Sequence, residues 1–416
     1  MKKQNISIRI PKKEVNLPLL EINYSKELPN EVINKEENTF LKYYKNKIDE
    51  IPNNKHWDNI KKITNEYELI HSSRNKKYNE SIAFYNPLSR SYFKMIEFIV
   101  DFNLFQNFSC SNMKTAHIAE GPGGFIEAII NKRKGFKDDI NTITLQSTKK
   151  EVPGWRKTKI FLERYPNIKT YFGEDGTGDI YKIENIKNFQ QKVGFNSCEL
   201  VTSDGGFDFS IDFNRQEQMS SRLIFCEIVT ALSVQKINGC FICKFFDTYT
   251  NITLQMLWLL NNLYEEVIIT KPFSSRPANS EKYIIARGFK GIKPDYLNIM
   301  LNIIKKWEEI ETTGNHIYSL FNNKYINSQF IEIIKLHNIF NTSNQIQTIK
   351  KTLDIIQGNI QIEEKDIIEK QIIYALEWCR KYNVDINFNS PYLQNIENYK
   401  QYINITKYEK WIENKL

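Results

Sequence analysis

Cysteine is scarce in this chain, and its spacing excludes two kinds of protein. Of the six cysteines among 416 residues, only Cys240 and Cys243 lie close together. Such spacing supplies neither a disulfide ladder nor the repeated CxxC pairs of a zinc site. On a strand these two side chains would point to opposite faces, so we interpret them as buried thiols. We expect an intracellular, reducing compartment and no metal requirement.

Long apolar runs are also missing. The N-terminal stretch MKKQNISIRIPKKEV lacks the apolar segment of a signal peptide, and no apolar run reaches the ~18 residues of a membrane span. We therefore expect neither export nor insertion into a membrane. The chain also shows no repeat of fixed period and no low-complexity tract.

Positive charge, by contrast, is in excess. The chain carries 57 Lys and Arg against 49 Asp and Glu, a net charge of +8. This balance favours a polyanionic partner, with a plain lysine-rich surface as the alternative. The length predicts two or three units, which we place at residues 1–85, 86–290 and 291–416.

Residues 86–290 alternate strand-like and helix-like runs, which is typical of an α/β sheet. Seven strands are predicted, at 115–120, 140–146, 168–174, 198–205, 239–246, 266–272 and 282–289. No helix separates the last two strands, so we expect them to pair antiparallel. The sequence thus predicts an α/β, Rossmann-like fold with a seven-stranded, mostly parallel sheet and one antiparallel strand, an arrangement that resembles the methyltransferase fold. Residues 1–85 are predicted to be an N-terminal extension with RNA-contacting helices, and 291–416 an all-helical C-terminal region.

A Gly-rich turn, Glu120-Gly121-Pro122-Gly123-Gly124-Phe125, follows the first of these strands and opens a helix. Glycines let the backbone approach a ligand, and the exposed amide groups favour a carboxylate or phosphate. Glu120 is placed to hold a ligand's ammonium group. A tight turn without a ligand is the alternative. The second strand ends without the acid of a dinucleotide-binding fold, which disfavours an oxidoreductase.

A second loop, GEDGTGDI, carries Asp175 and Asp179 at the same edge of the predicted sheet. A carboxylate there can accept a hydrogen bond from an adenine amino group. The alternative is a solvated acidic turn.

Four ionisable residues stand at the ends of predicted elements: Lys94, Asp204, Lys244 and Glu281. Singly, each has an ordinary explanation as a surface lysine, a turn former or a surface acid. Together, Lys, Asp, Lys and Glu are the set that a site needs to take a proton from a ribose hydroxyl without a metal.

Several stretches together resemble one family. AEGPGGFIEA, GDIYKIENI, SDGGF, NGCFICKFFDTYT and ITKPFSSRPANSEKYII are similar to the FtsJ-like 2'-O-ribose methyltransferases. Within that family, the chain most resembles the mRNA cap-1 2'-O-methyltransferases of eukaryotes and large DNA viruses. The resemblance covers residues 57–289, and SRPANSE-Y is its most specific part. NEYELIH resembles a stretch that precedes the catalytic domain in that group, with Glu66 in place of proline.

This resemblance implies a function. The cofactor would be S-adenosyl-L-methionine, and the four ionisable residues would form a catalytic tetrad. The cofactor site would comprise Ser89, Glu120, Gly121, Pro122, Gly123, Gly124, Phe125 and Asp179. The substrate would be the capped mRNA 5' end, methylated at the 2'-hydroxyl of its first transcribed nucleotide. His117 and Glu120 depart from the family pattern, which leaves the details of cofactor binding open.

Chemistry assigns roles within the tetrad. Methyl transfer from a sulfonium to a ribose oxygen is an in-line displacement that needs the hydroxyl proton removed. We predict Lys244 as the general base, with a pKa lowered by burial and by the neighbouring cation Lys94. Asp204 would orient the lysines, and Glu281 would brace the site and position ribose.

RNA contacts are predicted for basic and aromatic residues around the core. The candidates are Trp57, Lys61, Lys62, Tyr67, Arg74, Lys76, Lys77, Arg90, Asn214 and Arg215. Trp57 and Tyr67 would stack on a methylated guanine, and the cations would meet phosphates. The alternative for Trp57 is a helix-packing anchor.

Two other functions compete with cap methylation. One is a ribosomal or transfer RNA 2'-O-methyltransferase, and the other is a non-catalytic RNA-binding subunit with the same fold. A capping enzyme or an RNA polymerase would be a further partner. The expected location is the nucleus or, for a viral protein, the infected-cell cytoplasm or the virion.

Overall fold

A computed structural model describes residues 7–12, 15–52, 54–72, 80–106, 111–147, 152, 154–206, 212–403 and 407 of the chain. Within these residues the strands are β1 (Ser7–Arg9), β2 (Asn23–Ser25), β3 (Lys114–Ile118), β4 (Asp139–Ile143), β5 (Ile168–Tyr171), β6 (Cys198–Ser203), β7 (Gln235–Phe245), β8 (Tyr264–Thr270), β9 (Lys282–Phe289) and β10 (His316–Ser319). The α-helices are α1 (Lys35–Asp49), α2 (Asn54–Ile63), α3 (Ser91–Asp101), α4 (Gly124–Lys132), α5 (Lys159–Arg164), α6 (Ile183–Val193), α7 (Gln216–Val234), α8 (Asn251–Leu263), α9 (Pro294–Thr312), α10 (Ser328–Ile356) and α11 (Glu364–Lys381).

The central sheet has the order β1-β8-β9-β7-β6-β3-β4-β5. Strands β3 to β7 pair in parallel, as the alternation of strands and helices predicts. β9 lies between β7 and β8 and is antiparallel to both. The predicted antiparallel pairing of the last two strands is therefore confirmed, and all seven predicted strands are present.

The sheet has one strand more than the sequence predicted. β1 pairs antiparallel with β8 at the sheet's edge, so the N-terminal extension contributes an eighth strand. The C-terminal region is helical apart from β10, which pairs with β2 in a separate two-stranded sheet. The count of seven strands and the all-helical C-terminal region are corrected accordingly.

Apolar side chains cover both faces of the sheet. One core joins the sheet to α6, α7, α8 and α9. The other joins it to α3, α4 and α11. The C-terminal helix α11 thus packs on the same face as α3, which carries Lys94.

The C-terminal region is more continuous than predicted. Two predicted helical segments, at 330–340 and 349–356, form the single 29-residue helix α10, which packs on α1. A helix predicted at 399–412 lies mostly outside the described residues, and its first part belongs to a 3-10 helix, Ile396–Tyr402. No helix among the described residues is long and apolar enough to cross a membrane.

Candidate active site

The four ionisable residues meet at one edge of the sheet. Asp204 directly follows β6, and Lys244 is the second-to-last residue of β7. Both therefore stand at the carboxyl ends of parallel strands. Glu281 precedes β9, and the antiparallel direction of β9 brings its start to the same edge. Lys94 reaches the group from α3. Ligand crevices of open α/β sheets lie at this edge.

The four residues form two ion pairs. Lys94 Nζ lies 2.7 Å from Glu281 Oε2. Lys244 Nζ lies 3.2 Å from Asp204 Oδ1 and donates to the Asp204 carbonyl oxygen at 2.7 Å. Each of the four side chains keeps between 11% and 15% of its surface exposed. The charged groups are therefore packed by the protein but still reachable from solvent.

A tyrosine connects the two pairs. The Tyr283 hydroxyl accepts from Lys94 Nζ at 3.0 Å and donates to Asp204 Oδ1 at 2.8 Å. Tyr283 faces Lys244 across the β7–β9 ladder and is fully buried. The charged groups thus form one hydrogen-bonded cluster.

The cluster shifts the pKa values of its members. Burial acts to raise the pKa of Glu281, but Lys94 and Lys244 outweigh it and lower that pKa to about 2. Burial acts to lower the pKa of Lys244, but Asp204, Glu281 and Glu227 outweigh it and raise that pKa above its ordinary value. The lowered Lys244 pKa predicted from sequence is therefore wrong for the protein without ligands, because three carboxylates surround the ammonium group.

A buried acid supports the turn after Asp204. Glu227 Oε1, on α7, accepts the backbone N–H of Gly205 at 3.0 Å. Burial raises the Glu227 pKa to about 8. A Cβ on Gly205 would collide with Glu227 Oε1, so a larger residue there would displace this carboxyl group. Glu227 thus fixes the backbone that presents Asp204.

The β8–β9 loop (residues 271–281) holds Glu281 from the other side. Ser275 Oγ donates to Glu281 Oε1 at 2.8 Å. Lys271 Nζ donates to the carbonyl oxygens of Asn279 and Glu281, each at 2.8 Å. Both the carboxylate and the backbone of Glu281 are therefore fixed by its own loop.

The Gly-rich turn (residues 120–125) forms a narrow cradle beside this cluster. A Cβ on Gly121 would lie 2.5 Å from the Cα of Gly154, and Gly123 has a φ of 102°, which disfavours other residues. A Cβ on Gly124 would collide with the hydroxyls of Ser89 and Ser91. The turn therefore needs glycine for close packing, as a ligand-binding backbone does.

A cavity of about 310 Å³ adjoins the turn at the carboxyl ends of β4 and β5. Its lining includes the aromatic rings of Trp155 and Phe172. The indole Nε1 of Trp155 is buried and has no hydrogen-bond partner among the described residues. Flat apolar walls with a free donor suit a purine nucleoside. The residues present therefore fit S-adenosylmethionine.

Comparison with known proteins identifies this part of the chain. Residues 87–289 match the family model of the FtsJ-like methyltransferases. These residues form an FtsJ-like methyltransferase domain.

Curated relatives match the same part. A mouse protein named cap-specific mRNA (nucleoside-2'-O-)-methyltransferase 1 is 33% identical over 248 residues, which cover 53% of this chain and 29% of the mouse protein. The Dictyostelium discoideum protein of that name is 35% identical over 207 residues, covering 44% and 27%. The chain thus spans less than a third of the length of these relatives.

Among solved structures, a chain from Plasmodium falciparum named as a ribosomal RNA methyltransferase is 18% identical with a TM-score of 0.35. It covers 49% of this chain and 99% of its own length. The relatives named above come from a mouse and a slime mould, so they give no support to a viral source.

Two predicted cofactor contacts of the FtsJ-like domain, Glu120 and Asp179, make hydrogen bonds within the protein. The Glu120 side chain is 1% exposed, lies 3.5 Å from His117 and accepts a hydrogen bond from Thr202. It therefore points into the protein rather than toward a ligand's ammonium group, contrary to prediction. Asp179 Oδ1 accepts the backbone N–H of Tyr181 at 2.9 Å, and Asp179 is not among the residues that line the cavity.

Asp175, the other acid of that loop, serves the loop itself. Its carboxylate accepts from the side chains of Thr177 at 2.7 Å and Asn185 at 2.9 Å, and it pairs with Lys182 at 2.5 Å. The lysine ammonium group and the hydrogen bonds lower the pKa of Asp175.

Arg90 donates hydrogen bonds to backbone carbonyl oxygens of two neighbouring segments. Its guanidinium donates to the carbonyl oxygens of Ser274 at 3.1 Å, His71 at 2.8 Å and Tyr67 at 3.3 Å. It also lies 3.7 Å from Glu68, with 19% of its side chain exposed. These contacts join α3 to the β8–β9 loop and the N-terminal extension, so the predicted contact of Arg90 with RNA is not favoured.

The predicted cap-stacking residues are also packed. Trp57 lies in an apolar cluster between α1 and α10, which agrees with its alternative interpretation as an anchor. The Tyr67 ring packs against Phe273 and Tyr374, with centroids 4.9 and 5.4 Å apart. Neither ring is presented as an open stacking platform.

The remaining predicted RNA contacts differ in whether their side chains already have partners within the protein. Lys61 pairs with Asp58, and Lys62 lies beside it near the end of α2. Asn214 Nδ2 donates to Asn46 at 2.6 Å, while Arg215 is 60% exposed and lies 3.1 Å from Asp212. Arg215 therefore keeps a position from which it can meet RNA. Arg74, Lys76 and Lys77 lie outside the described residues.

Sequence reasoning missed three residues of this site: Tyr283, Glu227 and Trp155. Tyr283 stands two residues after Glu281, at the start of β9, and in an extended chain residues two apart point to the same side, which is a usable signal. Glu227 is a lone acid in the apolar run LIFCEIV, a pattern that marks a buried carboxylate with a partner. Nothing in the local sequence signals Trp155. Among the described residues, no group of three or more His, Cys, Asp or Glu could hold a metal ion.

Proposed function

We propose that this protein transfers the methyl group of S-adenosylmethionine to the 2'-hydroxyl of the first transcribed nucleotide of capped mRNA. The observation that carries the proposal is the cluster of two lysines and two carboxylates at the carboxyl edge of a methyltransferase sheet. Relatives named as cap-specific 2'-O-methyltransferases, and the SSRPANSEKY segment, support cap RNA as the substrate.

The residues that would hold the cofactor line the crevice described above. Backbone amide groups of Gly121 and Gly124 would meet its carboxylate end, because the N-terminus of α4 favours negative charge. The Gly123 N–H donates to the Glu120 carbonyl oxygen at 2.6 Å and so shapes the turn. Trp155 and Phe172 would enclose the adenine. When bound, S-adenosylmethionine supplies an electrophilic methyl group and a positive charge.

The chain's own residues would manage the proton of the ribose hydroxyl. Asp204 fixes Lys244 through its carbonyl and carboxylate oxygens, which aims the lysine into the cleft. Lys244 would take the hydroxyl proton as the oxygen attacks, so it must first lose its own. A cation bound nearby lowers a lysine pKa, which would offset the three carboxylates that raise it here.

Lys94 and Glu281 would complete the site. Lys94 would balance the carboxylates, and Glu281, fixed by Ser275 and Lys271, would accept a hydrogen bond from the ribose. With both ion pairs formed, the tetrad has no net charge before the cofactor arrives.

The test is methyl transfer from labelled S-adenosylmethionine to three matched RNAs with m7GpppA, GpppA or a bare 5'-phosphate at the end. Nuclease digestion then maps the labelled nucleotide. The proposal predicts label at the first nucleotide of the capped RNAs. Equal labelling of uncapped RNA would favour the ribosomal or transfer RNA alternative, and label on no RNA would favour a non-catalytic subunit.

Two lysines of the same strand give a matched pair for the mechanism. Lys244→Met removes the proposed base, whereas Lys236→Met alters a lysine at the far end of β7 that is 51% exposed and pairs with Glu199. We expect transfer to fall by ~10²–10⁴-fold in the first variant and to persist in the second. Wild-type transfer by Lys244→Met would contradict the mechanism.

A further inference from the structure

We infer that the Tyr283 hydroxyl is a positioning group that couples the two ion pairs of the tetrad and helps Lys244 to lose its own proton, so that its amine is free to act as the base. This inference rests on the proposed function and adds a fifth residue to its machinery. It is carried by the geometry of one buried side chain.

The Tyr283 ring is held rigidly. It packs against Phe98 of α3 and Phe125 of α4, with centroids 4.9 and 6.0 Å away. Lys94 Nζ lies 5.4 Å from the ring centroid. A ring fixed on two helices and one strand can present its hydroxyl in one place only, which is the gap between Lys94 and Asp204.

The direction of each hydrogen bond follows from chemistry. A lysine ammonium group only donates, so the phenol oxygen accepts from Lys94. The phenol hydrogen is then directed to Asp204 Oδ1. Asp204 Oδ1 also faces Lys244 Nζ at 3.2 Å, so Tyr283 and Lys244 share this one oxygen.

Because Asp204 Oδ1 is shared, it stabilises the charged form of Lys244 less, which lowers the pKa of the lysine relative to a site without the phenol. A carboxylate oxygen that already accepts from a phenol is a poorer partner for an ammonium group. The other groups facing Lys244 are Glu227 from α7 and Glu281 at the start of β9 with its partner Lys94 from α3. Among these groups, Tyr283 is the neutral donor that opposes the carboxylates.

Tyr283 keeps its proton throughout the working range. Burial raises the pKa of the Tyr283 phenol well above its usual value, and Asp204 and Glu281 act in the same direction. The hydroxyl therefore acts as a fixed donor, and it neither gives up nor takes up a proton during the reaction.

Tyr283→Phe and Tyr264→Phe form a matched pair. Both remove one hydroxyl from a fully buried tyrosine of the sheet, but the Tyr264 hydroxyl donates to Gln235 at 3.4 Å, away from the tetrad. Methyl transfer to capped RNA is measured from pH 6 to pH 10 for both variants, together with the affinity for S-adenosylhomocysteine.

For Tyr283→Phe we expect kcat to fall ~10-fold, the equivalent of one hydrogen bond, with both KM values within about twofold of wild type. The ascending limb of log kcat against pH should move to higher pH by about half a unit. Tyr264→Phe should keep the wild-type kcat and limb. A Tyr283→Phe variant with wild-type kcat and an unmoved limb would overturn the inference while leaving the proposed function standing.

A second measurement covers the case in which Tyr283→Phe does not fold. Replacing Tyr283 with 3-fluorotyrosine keeps the ring and the hydroxyl but makes the phenol a stronger donor. The ascending limb should then move to lower pH, and an unmoved limb overturns the inference. Absence of transfer by the wild-type protein on every RNA would instead overturn the proposed function, and this inference with it.

Discussion

Trp378 of the C-terminal helix α11 donates its indole hydrogen to Glu97 at 3.0 Å, and Glu97 lies one turn after Lys94 on α3. The same carboxylate accepts the backbone N–H groups of Phe273 and Ser274 in the β8–β9 loop, at 2.7 and 2.8 Å. Glu97 therefore joins α3, the loop that carries Glu281 and the C-terminal region. This gives the C-terminal helices a structural role in the active site.

Trp378→Phe tests this link. The variant keeps an aromatic ring against Phe93 but removes the donor to Glu97. We expect the free energy of unfolding to fall by ~1–2 kcal/mol and kcat to fall several-fold, because the β8–β9 loop is held less firmly. Urea unfolding and methyl-transfer assays measure the two effects.

The control is Trp307→Phe. Its indole donates to Glu311 at 3.1 Å within α9, on the other face of the sheet. This variant should keep the wild-type kcat. Equal kcat in both variants would show that the Glu97–Trp378 bond does not support the site.

Glu227 should make stability depend on pH in an unusual direction. Its pKa of about 8 in the folded protein lies above the ordinary 4.5, because it is buried. Between these values the folded state binds more protons than the unfolded state, so this group's contribution to stability falls as pH rises. Glu227→Gln keeps an acceptor for Gly205 and removes the titration.

We expect Glu227→Gln to be more stable than wild type by ~1–3 kcal/mol at pH 9, with the difference vanishing near pH 4.5. Urea unfolding at pH 5, 7 and 9 gives the comparison. Glu332→Gln, at a side chain that is 63% exposed, serves as the control. A difference between Glu227→Gln and wild type that does not change with pH would contradict the buried-acid explanation.

The ascending limbs of two pH profiles should differ. Three carboxylates raise the Lys244 pKa in the ligand-free protein, whereas a bound sulfonium would lower it. The profile of kcat/KM for S-adenosylmethionine reports the enzyme without cofactor, and that of kcat reports the complete complex. We therefore expect the limb of kcat to lie at lower pH. Coincident limbs would argue against Lys244 as the group that titrates.

Alanine substitutions at two glycines of the β5–α6 connection distinguish the effect of a steric clash from that of backbone strain. Gly176 and Gly178 have φ values of 75° and 68°, so alanine is strained at both. A Cβ on Gly178 would also collide with the Thr144 carbonyl, whereas nothing lies within 4 Å of one on Gly176. Calorimetry should show S-adenosylhomocysteine binding ~10-fold weaker in Gly178→Ala than in Gly176→Ala. Equal affinities would place the Gly178 contact outside the cofactor crevice.

Much of the fold could be predicted because its signals are local. The seven predicted strands lie in a region where strands and helices mostly alternate, and turn residues mark their ends. β1 and β2 have three residues each, too few for a period-two pattern to appear, and β10 is a short strand within a helical region. α10 was predicted as two segments because the polar stretch NTSNQ interrupts its apolar period. Tertiary hydrogen bonds satisfy the polar side chains of that stretch: the Thr342 and Tyr249 hydroxyls bond to each other, and Gln345 donates to the Ala278 carbonyl oxygen.

The residues of the tetrad could be predicted from the sequence, but their side-chain partners could not. The tetrad's members could be recognised because they stand at the ends of elements, and topology then brings those ends together. Side-chain partners are set by the tertiary structure, so charge alone misassigned Arg90, which the fold uses to join three segments. The raised pKa of Lys244 likewise depends on Glu227, which is distant from it in sequence.

The position of β9 has a consequence for how the protein becomes active. β9 is the last strand of the sheet to be synthesised, yet it lies between β7 and β8 near the middle. It brings Glu281 and Tyr283, so a nascent chain that ends before β9 has Lys94, Asp204 and Lys244 but cannot complete the cluster. β9 pairs with β7 and β8, the two strands that precede it in the chain, so it can join the sheet only after it has itself been synthesised. Catalytic competence should therefore appear only when the sheet itself is finished, and a partly folded chain would not modify RNA.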